Sequence, residues 1–227
     1  MGNFFSWQGL LLKLISIPLI FACMTVHECA HGYIAYKMGD NTAKNAGRLT
    51  LNPLKHIDWF GALAMFLVGF GWAKPVPVNP YNFKKSGAKG IVWVSLAGPI
   101  SNLLFGFVVL LIWYILRYTA PAVAMNTIVY GIAGGLASLN FGLAIFNLVP
   151  IPPLDGSKVM MYFLSYKARV WLEQNQNMLY MGLMLLVFTG ILGRIISPVI
   201  SVTFDGLNFL AQWITSPLGH FMANQWI

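Results

Sequence analysis

The sequence predicts an all-α polytopic membrane protein that crosses the bilayer about four times. Its residues are 58% hydrophobic and only 9% charged, with a mean hydropathy of +0.69. An ordinary soluble domain carries roughly 25% charged residues, so this chain cannot cover a globule's surface with charge. Asp, Glu, Lys and Arg are also absent from residues 91–116, 118–154 and 174–193. A spanning helix needs about 20 apolar residues, so each run has room for one span.

The spanning helices follow from these three runs and from the apolar N-terminal part of the chain. That first apolar stretch is shortened by Lys13 and by the polar sequence HECAH. We expect one membrane domain over residues 1–227, without internal repeats. Its predicted spans cover about 8–37, 90–117, 124–148 and 176–197, and an amphipathic helix at the membrane surface is predicted over about 204–214.

The connection between the first and second spans contains a short apolar piece and an extended piece. Residues 60–72 are too few and too rich in glycine for a span, which favours a re-entrant or interfacial segment. The sequence KPVPVNP follows, where prolines alternate with Val76 and Val78 and favour an extended backbone. In a strand, the prolines would leave one edge without N–H groups, and both valine N–H groups would lie on the other edge. A substrate strand could pair with that second edge. A stiff loop is the alternative.

The basic residues predict how the chain is oriented in the membrane. Cytoplasmic connections carry an excess of Lys and Arg, so both basic connections are expected in the cytoplasm of a cell-membrane protein. The net charge of +8 then reflects topology and attraction to anionic lipid, and no nucleic-acid partner is expected. Eleven of the 14 Lys and Arg residues follow the first and third spans: Lys37, Lys44, Arg48, Lys55, Lys74, Lys84, Lys85, Lys89, Lys158, Lys167 and Arg169.

The sequence HECAH at residues 27–31 is a candidate zinc site. His27 and His31 are four residues apart, so on a helix they share one face and can bind one zinc ion. Glu28 lies on the adjoining face, where it can act as a general base toward a water molecule. The alternative is a pair of packing histidines with a salt-bridged glutamate. Because ionisable groups near lipid cost at least about 2.5–3.5 kcal/mol each, the metal site is favoured.

Catalytic zinc normally takes three protein ligands and keeps one position open, so a third ligand is required. Asp40 and Asp58 fall in the basic connection, where solvated surface roles are expected. Asp205 is predicted on the far side, and Glu173 lies in a polar interfacial sequence. Asp155 lies near the end of the sequence FNLVPIPPLDG, at the predicted depth of the histidines, which makes it the favoured ligand.

With these motifs the chain resembles the site-2 protease family of intramembrane zinc metalloproteases, in its short prokaryotic form without a PDZ or CBS domain. The resemblance is carried by HECAH at 27–31, AGPISN at 97–102, NLVPIPPLDG at 147–156 and GWAKPVPVNP at 71–80. It implies that His27, His31 and Asp155 bind Zn²⁺ and that Glu28 is the catalytic base. It also implies that Asn147 lies near the metal and steadies the substrate or the oxyanion.

The predicted function is hydrolysis of a peptide bond in or near a transmembrane helix of a membrane-protein substrate. The active site is expected toward the cytoplasmic side, because Asp155 lies at that mouth of the third span. Two alternatives use the same residues, namely a membrane metal-ion transporter and a non-catalytic zinc-binding scaffold. Transport would require ligands at several depths, whereas the candidate ligands here are predicted at one depth.

Overall fold

The computed structural model describes residues 7–68, 71–83 and 87–223, and most of these residues are helical. No strand occurs among them, apart from one isolated antiparallel bridge between Ile57 and Ala73. The chain divides into two compact units, Met1–Gly98 and Pro99–Ile227. The predicted all-α fold is confirmed.

The first unit is built around a long helix, α1 (Trp7–Lys37), with shorter pieces packed on its C-terminal half. Asp40, just after the end of α1, accepts a hydrogen bond from the Thr42 N–H at 3.0 Å, which shapes the following turn. Ala35, Phe83 and Val94 form a buried apolar cluster. The other elements are α2 (Thr42–Asn45), a 3-10 turn (Pro53–Lys55), α3 (Trp59–Val68), a second 3-10 turn (Pro80–Asn82) and α4 (Gly87–Thr119) as far as Gly98.

The described part of the second unit, residues 99–223, contains the rest of α4 and six further helices. Its main core gathers around Phe141, which is fully buried together with Ala137 and Ala211. Leu110 and Tyr114 of α4 complete this cluster. The six helices are α5 (Pro121–Ala124), α6 (Thr127–Asn147), α7 (Asp155–Phe163), α8 (Tyr166–Gln174), α9 (Gln176–Phe188) and α10 (Ile191–Ala223).

Four of the described helices are long and apolar enough to cross a membrane, which matches the predicted number. They comprise residues Leu14–Lys37, Lys89–Thr119, Thr127–Leu148 and Ile191–Gly219. The helix α3 is a shorter apolar piece, as the sequence predicts for a re-entrant or interfacial segment. The chain is an integral membrane protein.

The fourth helix differs from its prediction. The helix expected over 176–197 is divided, because α9 ends at Phe188 and α10 begins at Ile191. Gly190 between them has a φ of +72°, a left-handed conformation that glycine adopts without steric cost. The predicted surface helix over 204–214 is likewise an interior part of α10. The fourth long apolar helix therefore lies about one span further along the chain than the charge-free run indicated.

Large apolar side chains remain exposed along the spanning helices. On α4, Leu104, Val108 and Ile112 are spaced four residues apart and are 60%, 46% and 53% exposed. Residues at this spacing share one helix face. A soluble monomer rarely exposes such a stripe, whereas lipid chains cover it without penalty.

Candidate active site

His27 and His31 lie one turn apart on α1, and their rings meet edge to face. The two Nε2 atoms are 3.0 Å apart, and the ring centroids are 4.6 Å apart. Both side chains are buried, with 7% and 8% of their surface exposed. Two nitrogen ligands at about 2.0–2.1 Å from one tetrahedral zinc ion would lie about 3.3 Å apart. The observed spacing is close to what one shared zinc ion requires.

The carbonyl group of Val94 determines which nitrogen of His31 carries the proton. Nδ1 of His31 lies 2.6 Å from the Val94 carbonyl oxygen. Because a carbonyl oxygen only accepts, Nδ1 donates its N–H, and the neutral ring then presents the lone pair of Nε2. Metal-binding histidines are commonly oriented by such a bond from the other ring nitrogen. His31 is thus held ready to bind a metal through Nε2.

Gly98 on α4 lies directly against the two imidazole rings. A Cβ atom added there would be 2.5 Å from Cε1 of His27 and 2.5 Å from Nε2 of His31. No ordinary side-chain contact is that short, so any larger residue would displace the rings. The absence of a side chain at Gly98 therefore makes room for the histidine pair.

Glu28 is on the neighbouring face of α1 and is held from outside the helix. Its Oε2 accepts a hydrogen bond of 2.7 Å from the backbone N–H of Val76. Gly32, one turn later, lets the chain approach, since a Cβ there would lie 3.0 Å from Cγ1 of Val76. The Val76 N–H group, which was predicted to be free for a substrate strand, is thus bonded to Glu28. Val78 remains the candidate for pairing with a substrate strand.

The extended segment (residues 74–79) that carries Val76 is anchored at both ends by buried polar groups. At its start, the Lys74 N–H donates to the His56 carbonyl at 2.9 Å, and the Lys74 carbonyl accepts from Nη2 of Arg48 at 2.6 Å. At its end, the Asn79 N–H donates to Oδ2 of Asp40 at 2.7 Å. Asp40 is fully buried, so the solvated role expected for it is wrong.

Asp155 is the first residue of α7, within the second unit, and only 7% of it is exposed. The preceding Leu154 packs with Leu183 and Leu192 in a buried apolar cluster. A carboxylate in the first turn is stabilised by the positive end of the helix dipole. Nζ of Lys158 lies 3.2 Å from Oδ1 of Asp155.

Asn147 is the last residue of α6 and is half-buried. Its Nδ2 donates to the Leu143 carbonyl at 2.9 Å, one turn earlier on the same helix. A primary amide has two N–H groups and a carbonyl oxygen, and this bond uses one N–H group.

The donor chemistry of the buried candidate ligands fits zinc. His27, His31 and Asp155 offer two imidazole nitrogens and one carboxylate oxygen, and each of the three is buried. Two histidines and one carboxylate form a known ligand set of catalytic zinc. Calcium and magnesium instead prefer oxygen ligands alone.

The sequence indicated the histidines, Glu28 and Asp155 as candidates, but it did not indicate Val94 and Gly98, which contact the histidines. Val94 contacts His31 through its backbone carbonyl group, and a motif defined by side chains does not indicate such a contact. Gly98 lies within the AGPISN motif, yet its spacing does not reveal that it faces the imidazoles.

Comparison with known proteins identifies one matching family. The model of peptidase family M50 matches residues 116–189. YwhC of Bacillus subtilis (strain 168), provisionally named a zinc metalloprotease, is 37% identical over a match that covers 96% of this chain and 100% of YwhC.

Two further relatives carry zinc metalloprotease names. Rip2 of Mycolicibacterium smegmatis, also provisionally named, is 32% identical over 66% of this chain and 57% of its own length. MJ0392 of Methanocaldococcus jannaschii is 26% identical over 74% of this chain and 38% of its own length. No solved structure matches the chain.

Proposed function

Because the chain belongs to the M50 (site-2 protease) family and is a zinc metalloprotease, we propose that it cleaves a peptide bond in or near a transmembrane helix of another membrane protein. The observation that carries this proposal is the histidine pair on α1. Its two Nε2 atoms converge to 3.0 Å, and Glu28 is held on the adjoining face. The part of α1 that carries these residues, Leu14–Lys37, is long and apolar enough to cross a membrane.

His27, His31 and Asp155 are proposed to hold the zinc ion. Their support is that all three are buried and offer the donor set of catalytic zinc. When bound, zinc polarises the scissile carbonyl group and lowers the pKa of a water molecule toward about 7. The bond from His31 to the Val94 carbonyl keeps the imidazole in the tautomer that this role needs.

Glu28 is proposed to take a proton from the attacking water molecule and to pass it to the nitrogen atom of the leaving amine. Its bond from Val76 uses Oε2, so Oε1 can face the water while the carboxylate stays in one orientation. Such preorganisation favours catalysis, because a misplaced base loses rate steeply.

A substrate helix hides its carbonyl groups in internal hydrogen bonds, so it must unwind before the water can attack. We propose that the unwound strand pairs with the extended segment at Val78, as strands add to an exposed edge in other peptide complexes. Asn147 is proposed to steady the substrate or the oxyanion through the N–H group that its bond to Leu143 does not use.

The proposed location is the cell membrane, with the active site toward the cytoplasm. The support is the distribution of Lys and Arg, which concentrates in the connections after α1 and after α6. The proposed partners are a membrane-protein substrate and the lipid bilayer.

The test compares the wild-type chain with Glu28→Gln in detergent micelles. Bound zinc and cleavage of a membrane-spanning test substrate are measured for both proteins. We expect about one zinc ion per chain in both and cleavage by the wild type alone, because Gln keeps the size of Glu28 but cannot accept the proton. Zinc binding without cleavage of any of a panel of substrates would instead support transport or a scaffold role. Cleavage by Glu28→Gln at the wild-type rate would overturn the assigned base.

A further inference from the structure

Asp40 is a fully buried carboxylate outside the spanning helices. Its two oxygen atoms accept hydrogen bonds from four donors on three residues: the N–H and Oγ1 of Thr42, the N–H of Asn79 and Nδ2 of Asn82. The bonds from Asn79 and Asn82 reach 39 and 42 residues along the sequence. Asp40 therefore joins the end of α1 to the end of the extended segment.

A carboxylate is the side chain that suits this position. It offers two acceptor oxygens and no donor, whereas an amide would turn an N–H group toward at least one of the four donors. Burial raises the pKa of Asp40, but the hydrogen bonds from Asn82, Thr42 and Asn79 outweigh burial and hold that pKa below its ordinary value. Asp40 is thus ionised at neutral pH, and its charge is satisfied by hydrogen bonds.

The connection from Asp40 to Glu28 runs through a short, stiff backbone. Asn79, which Asp40 holds, is three residues from Val76, whose N–H group binds Glu28. Pro77 lies between them and restricts the backbone to extended conformations, as Pro75 does on the other side of Val76. A stiff segment transmits the position of its end to its middle better than a flexible one does.

We propose that Asp40 is a positioning residue for the cleavage reaction: it fixes the end of the extended segment so that the N–H group of Val76 keeps the Glu28 carboxylate in place. This inference rests on the proposed function of Glu28. The start of the segment is anchored separately, by Arg48 and the His56 carbonyl at Lys74. Loss of Asp40 therefore frees one end of the segment and leaves the other attached.

The first test measures hydrogen exchange of the full chain in detergent by mass spectrometry. Asp40→Ala and Asp40→Asn are compared with Asp58→Asn, whose carboxylate accepts from the Gly61 N–H at 2.9 Å at the start of α3. We expect faster exchange in peptides covering 74–83 for both Asp40 variants, unchanged exchange within α1, and wild-type exchange at 74–83 for Asp58→Asn. Unchanged exchange at 74–83 would overturn the proposal. So would a uniform increase over the whole chain in both Asp40 variants, because Asp40 would then be a general stability residue.

The second test is a double-mutant cycle on cleavage of the transmembrane test substrate. A hydrogen bond to a charged group is worth roughly 10- to 100-fold in rate, so Asp40→Asn and Val76→Pro are each expected to lower kcat by about 10-fold or more, with KM within about twofold. Because both changes break one chain of contacts, the double variant should match the slower single variant within about twofold. Multiplied losses would overturn the inference. A wild-type chain that cleaves nothing would instead contradict the proposed function, and the exchange experiment would still decide whether Asp40 holds the segment.

Discussion

The backbone N–H group of Val76 donates a 2.7 Å hydrogen bond to Oε2 of Glu28, which lies 48 residues earlier in the sequence. Val76 is 8% exposed, and its side chain packs over Gly32 on the same helix as Glu28. The candidate base is therefore oriented by a backbone donor from outside its own helix. This backbone N–H donor is present whichever residue occupies position 76, unless that residue is proline, which has no backbone N–H group.

Val76→Pro is expected to reduce cleavage by roughly 10- to 100-fold in kcat, because it removes the donor to a charged acceptor. The surrounding backbone is already extended and contains proline on both sides, so a further proline fits without a new bend. Steady-state kinetics on a transmembrane substrate measure the effect. Val76→Ala is the control, since it keeps the N–H group and removes only side-chain packing. Equal rates for the two variants would show that the hydrogen bond has no catalytic role.

The convergence of His27 and His31 could be predicted because its information is local. A spacing of four residues places two side chains on one helix face whatever the rest of the chain does. The alternation of proline and valine likewise indicated an extended segment with valine N–H groups on one edge. It could not indicate which acceptor Val76 would meet, because Glu28 comes from another part of the first unit.

Asp40 and the division at Gly190 show two other limits of prediction. Asp40 lies among basic and polar residues that suggest solvent, and its donors are far along the sequence, so its burial gave no local signal. The charge-free run at 174–193 has the length of one span, but hydropathy does not register the left-handed conformation of one glycine inside it.

Gly98→Ala is expected to lower zinc affinity, because the added Cβ would lie 2.5 Å from atoms of both imidazole rings. The rings must turn away, and their Nε2 atoms then no longer converge. Zinc content after dialysis against graded chelator concentrations measures the change. Gly131→Ala on α6 is the matched control, since nothing lies within 4 Å of its added Cβ. That variant should keep its zinc and gain up to about 1 kcal/mol from helix propensity. Zinc retention by Gly98→Ala equal to the control would contradict this account of Gly98.

Asp155→Ala is expected to abolish cleavage and to weaken zinc binding. Loss of a group that only forms a hydrogen bond to a metal ligand costs about 10- to 100-fold in metal affinity, and loss of the ligand itself should cost more. Two histidines alone leave a zinc ion without its third protein ligand. Zinc per chain and cleavage are measured before and after treatment with a chelator, and zinc is then added back. The wild type should lose activity with its metal and recover it. Asp205→Ala on α10 removes an exposed carboxylate and should behave as the wild type does. Normal zinc content in Asp155→Ala would exclude Asp155 as a ligand.

The extended segment is expected to stay ordered from neutral pH down to about pH 4 and to loosen only in stronger acid. The hydrogen bonds to Asp40 hold its pKa below the ordinary value of 3.8 despite its burial. A carboxylate whose pKa is lower in the folded state stabilises that state fully above the ordinary pKa, and this contribution disappears as the pH falls through the folded-state pKa. Exchange rates at 74–83, corrected for the intrinsic effect of pH, should show an acid step in the wild type. Asp40→Asn cannot ionise and should lack the step, with faster exchange at every pH. An identical acid step in Asp40→Asn would assign the transition to another group.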